Sequence, residues 1–242
     1  EAMWKKFEYF SGYGFNKSHA VSYSILSYQC AWLLNYYQSE WTAAFLDKEP
    51  EKRKEAAISL AQKYGFDIEP LNINTSSWTW EISKDGKTLI QPLSSIKGLG
   101  DKAIEQIVAH RPFEDAESLL FNEDIVYSKL NKKALNALTL SGAADKLVDD
   151  RFTGAKHFWQ ACVVERPKNR KKLLENIEKY SDEGDFTTQE RIENISSLTG
   201  IFPMDLVMTK KVRERLDHYM VPPLGSYEPG FTDLVWFVPK EI

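Results

Sequence analysis

Ile96-Lys97-Gly98-Leu99-Gly100-Asp101-Lys102-Ala103-Ile104-Glu105-Gln106-Ile107 is the stretch that decides the fold. A Gly-hydrophobic-Gly turn stands between the end of one helix and the start of the next. The glycines allow unusual backbone angles and leave no Cβ in the way of an approaching group. Leu99, between them, is placed to turn inward and pin the turn to a core. Ala103 is small enough for two helices to pack closely. A second, degenerate copy follows in Lys129-Leu130-Asn131-Lys132-Lys133-Ala134-Leu135. It puts Asn131 in the turn, Ala134 at the packing site, and Leu135 and Leu138 on the apolar face. Ser141-Gly142-Ala143-Ala144-Asp145 then ends its helix.

This is the helix-hairpin-helix pattern, in tandem over residues 93–147. Backbone N–H groups after Gly98 open the next helix without internal partners. With the helix dipole they form a nest for phosphate. Lys97 and Lys102 add cationic reach. The candidate contacts are Lys97, Gly98, Leu99, Gly100 and Lys102 in the first hairpin, and Asn131, Lys132 and Lys133 in the second. Such a unit grips a nucleic-acid backbone without reading bases. The plainer reading is a Gly-containing turn between core helices.

Outward from the hairpins the chain reads as mainly α. Residues 19–47 form an aromatic-rich helix or helix pair, with Val21, Ile25, Tyr28, Trp32, Leu33 and Tyr36 at three-to-four spacing. The Tyr and Trp stripe from Tyr23 to Trp41 is read as core. Pro50 stops that segment. Glu51 to Tyr64 is an amphipathic helix with Gly65 as its C-terminal signal. Trp78-Thr79-Trp80-Glu81-Ile82 alternates with period two, and Asp85-Gly86 precedes Thr88-Leu89-Ile90. This predicts a β-hairpin near 78–91. Leu173 to Tyr180 and Gln189 to Thr199 are further helices, with Asp182-Glu183-Gly184-Asp185 as a loop. Pro222-Pro223-Leu224-Gly225 marks a linker. Leu234-Val235-Trp236-Phe237-Val238 reads as a strand without partners. The resulting division is 1–92, 93–147, 148–222 as helical extension and linker, and 223–242 as the start of a following β domain.

The 242 residues, 43% hydrophobic, can bury a sizeable core. No apolar run is long enough for a membrane span, so no membrane partner is expected. The opening Glu1-Ala2-Met3-Trp4 is no signal peptide. It reads as mid-helix, so the chain is expected to be an internal piece of a longer protein. Two distant cysteines, Cys30 and Cys162, make no disulfide framework and favour a reducing, cytoplasmic setting. The four histidines are scattered and show no zinc-ligand spacing. A net charge of −4 counts against a nucleic-acid partner, but Arg166-Pro167-Lys168-Asn169-Arg170-Lys171-Lys172 is a dense basic run.

A sharper resemblance begins upstream. Gly12-Tyr13-Gly14-Phe15-Asn16-Lys17-Ser18-His19-Ala20, then Tyr23, Tyr28-Gln29, Ala31, Leu33 and Trp41-Thr42-Ala43-Ala44, resembles the fingers region of the C-family replicases of bacteria and phages, the DNA polymerase III alpha subunits. Leu71-Asn72-Ile73-Asn74, Ile96–Gly100, Leu130–Lys133 and Ser141-Gly142-Ala143 match the same family in the same order, over about residues 4 to 147. The resemblance implies a fingers-type helical domain followed by a tandem hairpin unit. It implies that Asn16, Lys17, Ser18 and His19 contact the triphosphate of an incoming dNTP, and that the partners are duplex primer–template DNA and the rest of the polymerase. On the residues alone, Asn16 or Ser18 serves equally as a helix cap. Two departures stand out. No clamp-binding peptide is found between Lys146 and Thr199, since Gln160-Ala161-Cys162-Val163-Val164 lacks the aromatic end; a sliding-clamp partner is left open. Phe202 also stands before Pro203 where the family has His.

Nucleotidyl transfer needs paired carboxylates holding two metal ions. No D-x-D lies on a predicted strand, and the Asp182–Asp185 cluster reads as a solvated loop. No catalytic or metal-binding residue is assigned. Mg2+ is expected in the palm of the parent polymerase and not in this chain. A non-enzymatic hairpin DNA-binding module and a purely structural helical domain are the two other readings.

Overall fold

The computed structural model describes residues 3–5, 7, 16–224 and 234–237. It divides into two compact units, Glu1–Lys48 and Glu49–Ile242. In the first, α1 (Lys17–Tyr36) opens on Asn16, whose side chain accepts the Ser18 N–H, and α2 (Gln38–Lys48) follows. The helix pair is as expected, but the aromatic stripe is not core. No residue of α1 is buried, and Tyr23, Tyr28 and Trp32 are 60, 70 and 42% exposed. The apolar residues are spread round the helix, and α2 alone cannot cover a helix of 20 residues. Gly12, Gly14 and the other residues of the Gly12–Ala20 motif before Asn16 lie outside the described residues.

In the second unit, α3 (Glu51–Lys63) buries Ala57, Ile58 and Ala61. It ends in a Schellman arrangement. Gly65, at φ 88°, donates to Gln62 O at 3.0 Å, and Phe66 N–H reaches Ala61 O at 3.2 Å. A small sheet follows in the order β1 (Asp67–Glu69), β3 (Thr88–Ile90), β2 (Glu81–Ile82), with β1 parallel and β2 antiparallel to β3. The expected hairpin is β2–β3, paired Glu81↔Ile90 and Ile82↔Leu89. Pairing starts only at Glu81, and Trp80 goes into the interior. The Asp85 carboxylate accepts the Lys87 and Thr88 N–H groups, both at 2.9 Å, and the Thr88 hydroxyl at 2.6 Å.

One core runs from Leu71 and Ile73 through Leu93, Ile96, Leu99 and Ile104 to Leu138, Phe158 and Leu173. Its helices are α4 (Asp101–His110), α5 (Ala116–Leu120), α6 (Lys132–Leu140), α7 (Ala155–Trp159, continuing as a π turn over Gln160–Val164), α8 (Arg170–Tyr180) and α9 (Thr188–Thr199). The chain is mainly α with one hairpin. Asn74 exchanges two 2.8 Å hydrogen bonds with the backbone of Phe113, and Ile73 N–H reaches Ala143 O at 2.8 Å. The segment after β1 is thereby tied to both hairpin helices' surroundings.

The start of α7 and two short helices near the C-terminal end lay outside the sequence reading. The α7 helix has no local side-chain cap; Asp185, from the acidic loop, accepts the Lys156 N–H at 2.9 Å. Gly154 makes room for it, since a Cβ there would overlap the Asp185 carboxylate. Two short helices, α10 (Met204–Val207) and α11 (Lys210–His218), close the described part. The strand expected at 234–238 is not formed over 234–237. Trp236 makes a single bridge to Pro223, with hydrogen bonds to Pro222 O and Leu224 N. A strand needs a neighbour along its length, and none is present among the described residues. Val238 lies outside them.

The Asp85 turn yields a pH prediction. Hydrogen bonds from Thr88 and Lys87 hold its pKa down, to about 2 from an ordinary 3.8. A depressed carboxylate pKa gives stability that is present above the unfolded value and lost as pH falls through the folded one. Amide exchange at Thr88 should therefore accelerate between about pH 4 and about pH 2, and Asp85→Ala should remove that step. An identical acid profile in the variant would contradict this.

Candidate nucleic-acid interface

The first hairpin is built as its residues require, except that one 3-10 turn, Leu93–Ser95, stands where a full preceding helix was expected. Gly98 takes φ 88°, a conformation that L side chains rarely adopt. The turn sends Leu99 into the core at 6% exposure and Ala103 against it at 3%. Gly100 then opens α4 at φ −81° and ψ 160° without any side-chain cap. Ala103 and Ile104 N–H return to Gly100 O. The N–H groups of Asp101 and Lys102 lead outward from the helix start. A Cβ on Gly100 would meet nothing within 4 Å. Its backbone angles suit any residue, so neither protein packing nor strain calls for glycine there. Asp101 places a carboxylate in this first turn, where the dipole favours it. Lys102, exposed beside it, carries no ion pair among the described residues.

Lys97 is differently placed. Its N–H donates to Leu198 O at 2.8 Å, and its Nζ meets Glu51 Oε1 at 2.8 Å. The same pairing holds the Glu51 carboxyl below its ordinary pKa.

In the second hairpin, Asn131 caps α6 by accepting the Ala134 N–H at 3.1 Å, so its side chain is taken up by the protein. Lys132 Nζ donates to Val164 O at 2.7 Å. The aliphatic stem of Lys133 lies against Gly98, its Cε 3.4 Å from where a Cβ would stand. Ala134, Leu135 and Leu138 are buried as expected. The two hairpins are thus in contact, and Lys133 and Lys102 belong to neighbouring turns.

Sequence reasoning missed the brace across this unit. Helix α9 gives Leu198 O to the first hairpin, while its Arg191 pairs with Asp145 at 2.5 Å, just beyond Gly142 at the end of the second. The helix itself was expected over Gln189 to Thr199; the structure adds a reciprocal capping box of Thr187 and Glu190 at its start and Gly200 at φ 69° at its end. What it touches was not expected.

The third group, Asn16, Lys17, Ser18 and His19, sits together at the start of α1, in the other unit. Ser18 Oγ donates to Asn16 Oδ1 at 2.6 Å and is occupied within the cap. The His19 ring lies 4.3 Å from the Tyr23 ring. Lys17 is exposed and lines a 380 Å3 open cleft with Ala20, Val21, Ser24, Ile25 and Tyr28. Among the described residues no three of His, Cys, Asp or Glu come together to hold a metal ion. No helix among them is long and apolar enough to cross a membrane.

Residues 65–154 match the family model of the helix-hairpin-helix motif. The chain is similar to the DNA polymerase III subunit alpha of Helicobacter pylori, at 33% identity over 178 residues, or 69% of this chain and 15% of that protein. It is similar to those of Buchnera aphidicola, at 29% over 210 residues (84% and 16%), and Haemophilus influenzae, at 25% over 243 residues (92% and 21%). The chain therefore matches a segment of the DNA polymerase III alpha subunit, in agreement with the resemblance drawn from its motifs.

The Glu51–Lys97 pair makes a prediction about this surface. Glu51→Gln frees Lys97 and should tighten duplex DNA binding about two- to fivefold, the scale of an exposed ion pair. In a Lys97→Ala background the same change should do much less, which a double-mutant cycle reads directly. Equal effects in both backgrounds would show that Glu51 does not restrain Lys97.

Proposed function

We propose that this chain is the part of a DNA-directed DNA polymerase alpha subunit that holds the sugar–phosphate backbone of the primer–template duplex, without sequence preference. The observation that carries this is the start of α4. Its outward N–H groups have no side-chain cap, Gly100 leaves open space before them, Lys102 stands in the same turn, and Lys133 lies against Gly98. Buried Leu99 fixes the turn, so the donors are held in place before any ligand arrives. Of the lysines, Lys102 and Lys133 carry the grip in this reading. Lys97 and Lys132 are engaged with protein groups and contribute on release, and Asn131 acts by shaping its turn.

The start of α1 supplies contacts to the triphosphate of the incoming dNTP. Asn16 caps, and the Lys17 ammonium and the His19 ring stand beside the helix start. Charge at the leaving pyrophosphate is what such groups stabilise. The reaction's Mg2+ and its paired carboxylates belong to the palm of the whole polymerase; the described residues offer no carboxylate cluster of that kind.

Gly100→Ser separates grip from fold. Serine is a good cap at these backbone angles, so Tm should hold or rise slightly. Its hydroxyl takes a donor meant for phosphate, and its Cβ fills the approach. Duplex affinity should fall about tenfold, the worth of a charge-assisted hydrogen bond. Wild-type affinity in a folded variant would leave the hairpin as a structural turn. In the intact polymerase, Lys17→Ala should lower dNTP kcat/KM about tenfold or more with DNA affinity nearly unchanged. Unchanged steady-state kinetics on primed template would reduce the motif to a helix cap.

A further inference from the structure

We propose that the basic segment Arg166–Lys171 is a third contact to the phosphate backbone of the same duplex, continuing the track of the two hairpins. The proposal rests on the duplex-binding reading above. Continuity comes first. Lys133 lies against Gly98 of the first hairpin, and its neighbour Lys132 donates to Val164 O. Two residues on, the Arg166 guanidinium stacks 4.5 Å over the ring of Tyr127, in the loop that leads into the second hairpin. The basic segment therefore starts at the edge of the hairpin unit.

Its charge is not balanced by the protein. The flanking carboxylates are already taken: Glu165 by Lys179 and by Tyr180 at 2.8 Å, and Glu175 by Lys172 at 3.3 Å. Arg166, Lys168, Arg170 and Lys171 carry no ion pair among the described residues. Pro167 is buried and anchors the segment, while Lys168, Arg170 and Lys171 are exposed. The position makes the excess costly. Arg170 and Lys171 lie in the first turn of α8, a turn without an acidic residue. Cations at a helix N-terminus oppose the dipole, and a helix needing only its own stability would carry Asp or Glu there. Crowding three exposed cations around that terminus becomes favourable when a polyanion lies across it. Duplex phosphate, already held by the adjoining hairpins, supplies that polyanion.

The test uses the full 242-residue chain and the salt dependence of its binding to a random-sequence duplex. Each phosphate neutralised adds about 0.9 to the slope of log K against log salt. Lys168→Ala/Arg170→Ala/Lys171→Ala should keep or slightly raise the Tm, lower the slope by about two to three, and weaken binding at least about tenfold at low salt. Lys102→Glu is measured in parallel. If Lys102→Glu weakens binding while the triple variant keeps the wild-type slope, the third contact is wrong and the hairpin grip stands; an acidic protein surface is then the better occupant. If the wild-type chain shows no salt-dependent duplex binding, both readings fall.

Discussion

The turn at Gly98 governs the geometry of the candidate interface. Its left-handed backbone reverses the chain within one residue, so Leu99 drops into the core and the next helix begins facing out. Any side chain at Gly98 would strain that conformation and press on Lys133. A relaxed turn would move Leu99, re-aim the first N–H groups of α4, and separate the two hairpins. The brace by Leu198 O on the Lys97 N–H holds the same turn from the other side. The first N–H groups of α4 are thus fixed in place, and a ligand meeting them would have little ordering to offset.

The features legible in the sequence are those whose cause is local. The Gly98 turn, the Schellman glycine at 65 and the Asp85-Gly86 hairpin each act within a few residues of themselves. What was missed depends on partners far along the chain. Strand β1 exists because Thr88–Ile90 lies beside it in parallel, and nothing in Asp67–Glu69 announces that. The helix at 155–164 starts on a carboxylate from residue 185. The aromatic stripe of α1 misled for the opposite reason. Periodic apolar residues mark a helix, but burial needs a second surface, and the described part of that unit does not provide one. At the candidate site, sequence placed the right turns but could not tell free cations from engaged ones. Lys97 and Lys102 look alike in the chain; only the fold gives one of them to Glu51.

A net charge of −4 is compatible with a nucleic-acid surface because several of the acids are held in ion pairs. Arg151 bridges Glu117 and Asp149, Arg191 holds Asp145, and Lys179 holds Glu165. Each such pair is worth little as an isolated surface ion pair. Their effect is on distribution. They leave Lys102, Lys133, Lys168, Arg170 and Lys171 without an ion pair among the described residues, and local field, not the sum, draws a polyanion.

The central claim is that the uncapped N–H groups opening α4 are phosphate donors. The most direct measurement follows the backbone amides of Asp101 and Lys102 by 15N-resolved NMR while duplex DNA is titrated into the chain. The account predicts that these two amides shift most in the first hairpin, at the same DNA concentrations at which binding is seen, and that added salt reverses the shift. Duplex binding that leaves both amides unmoved would contradict it.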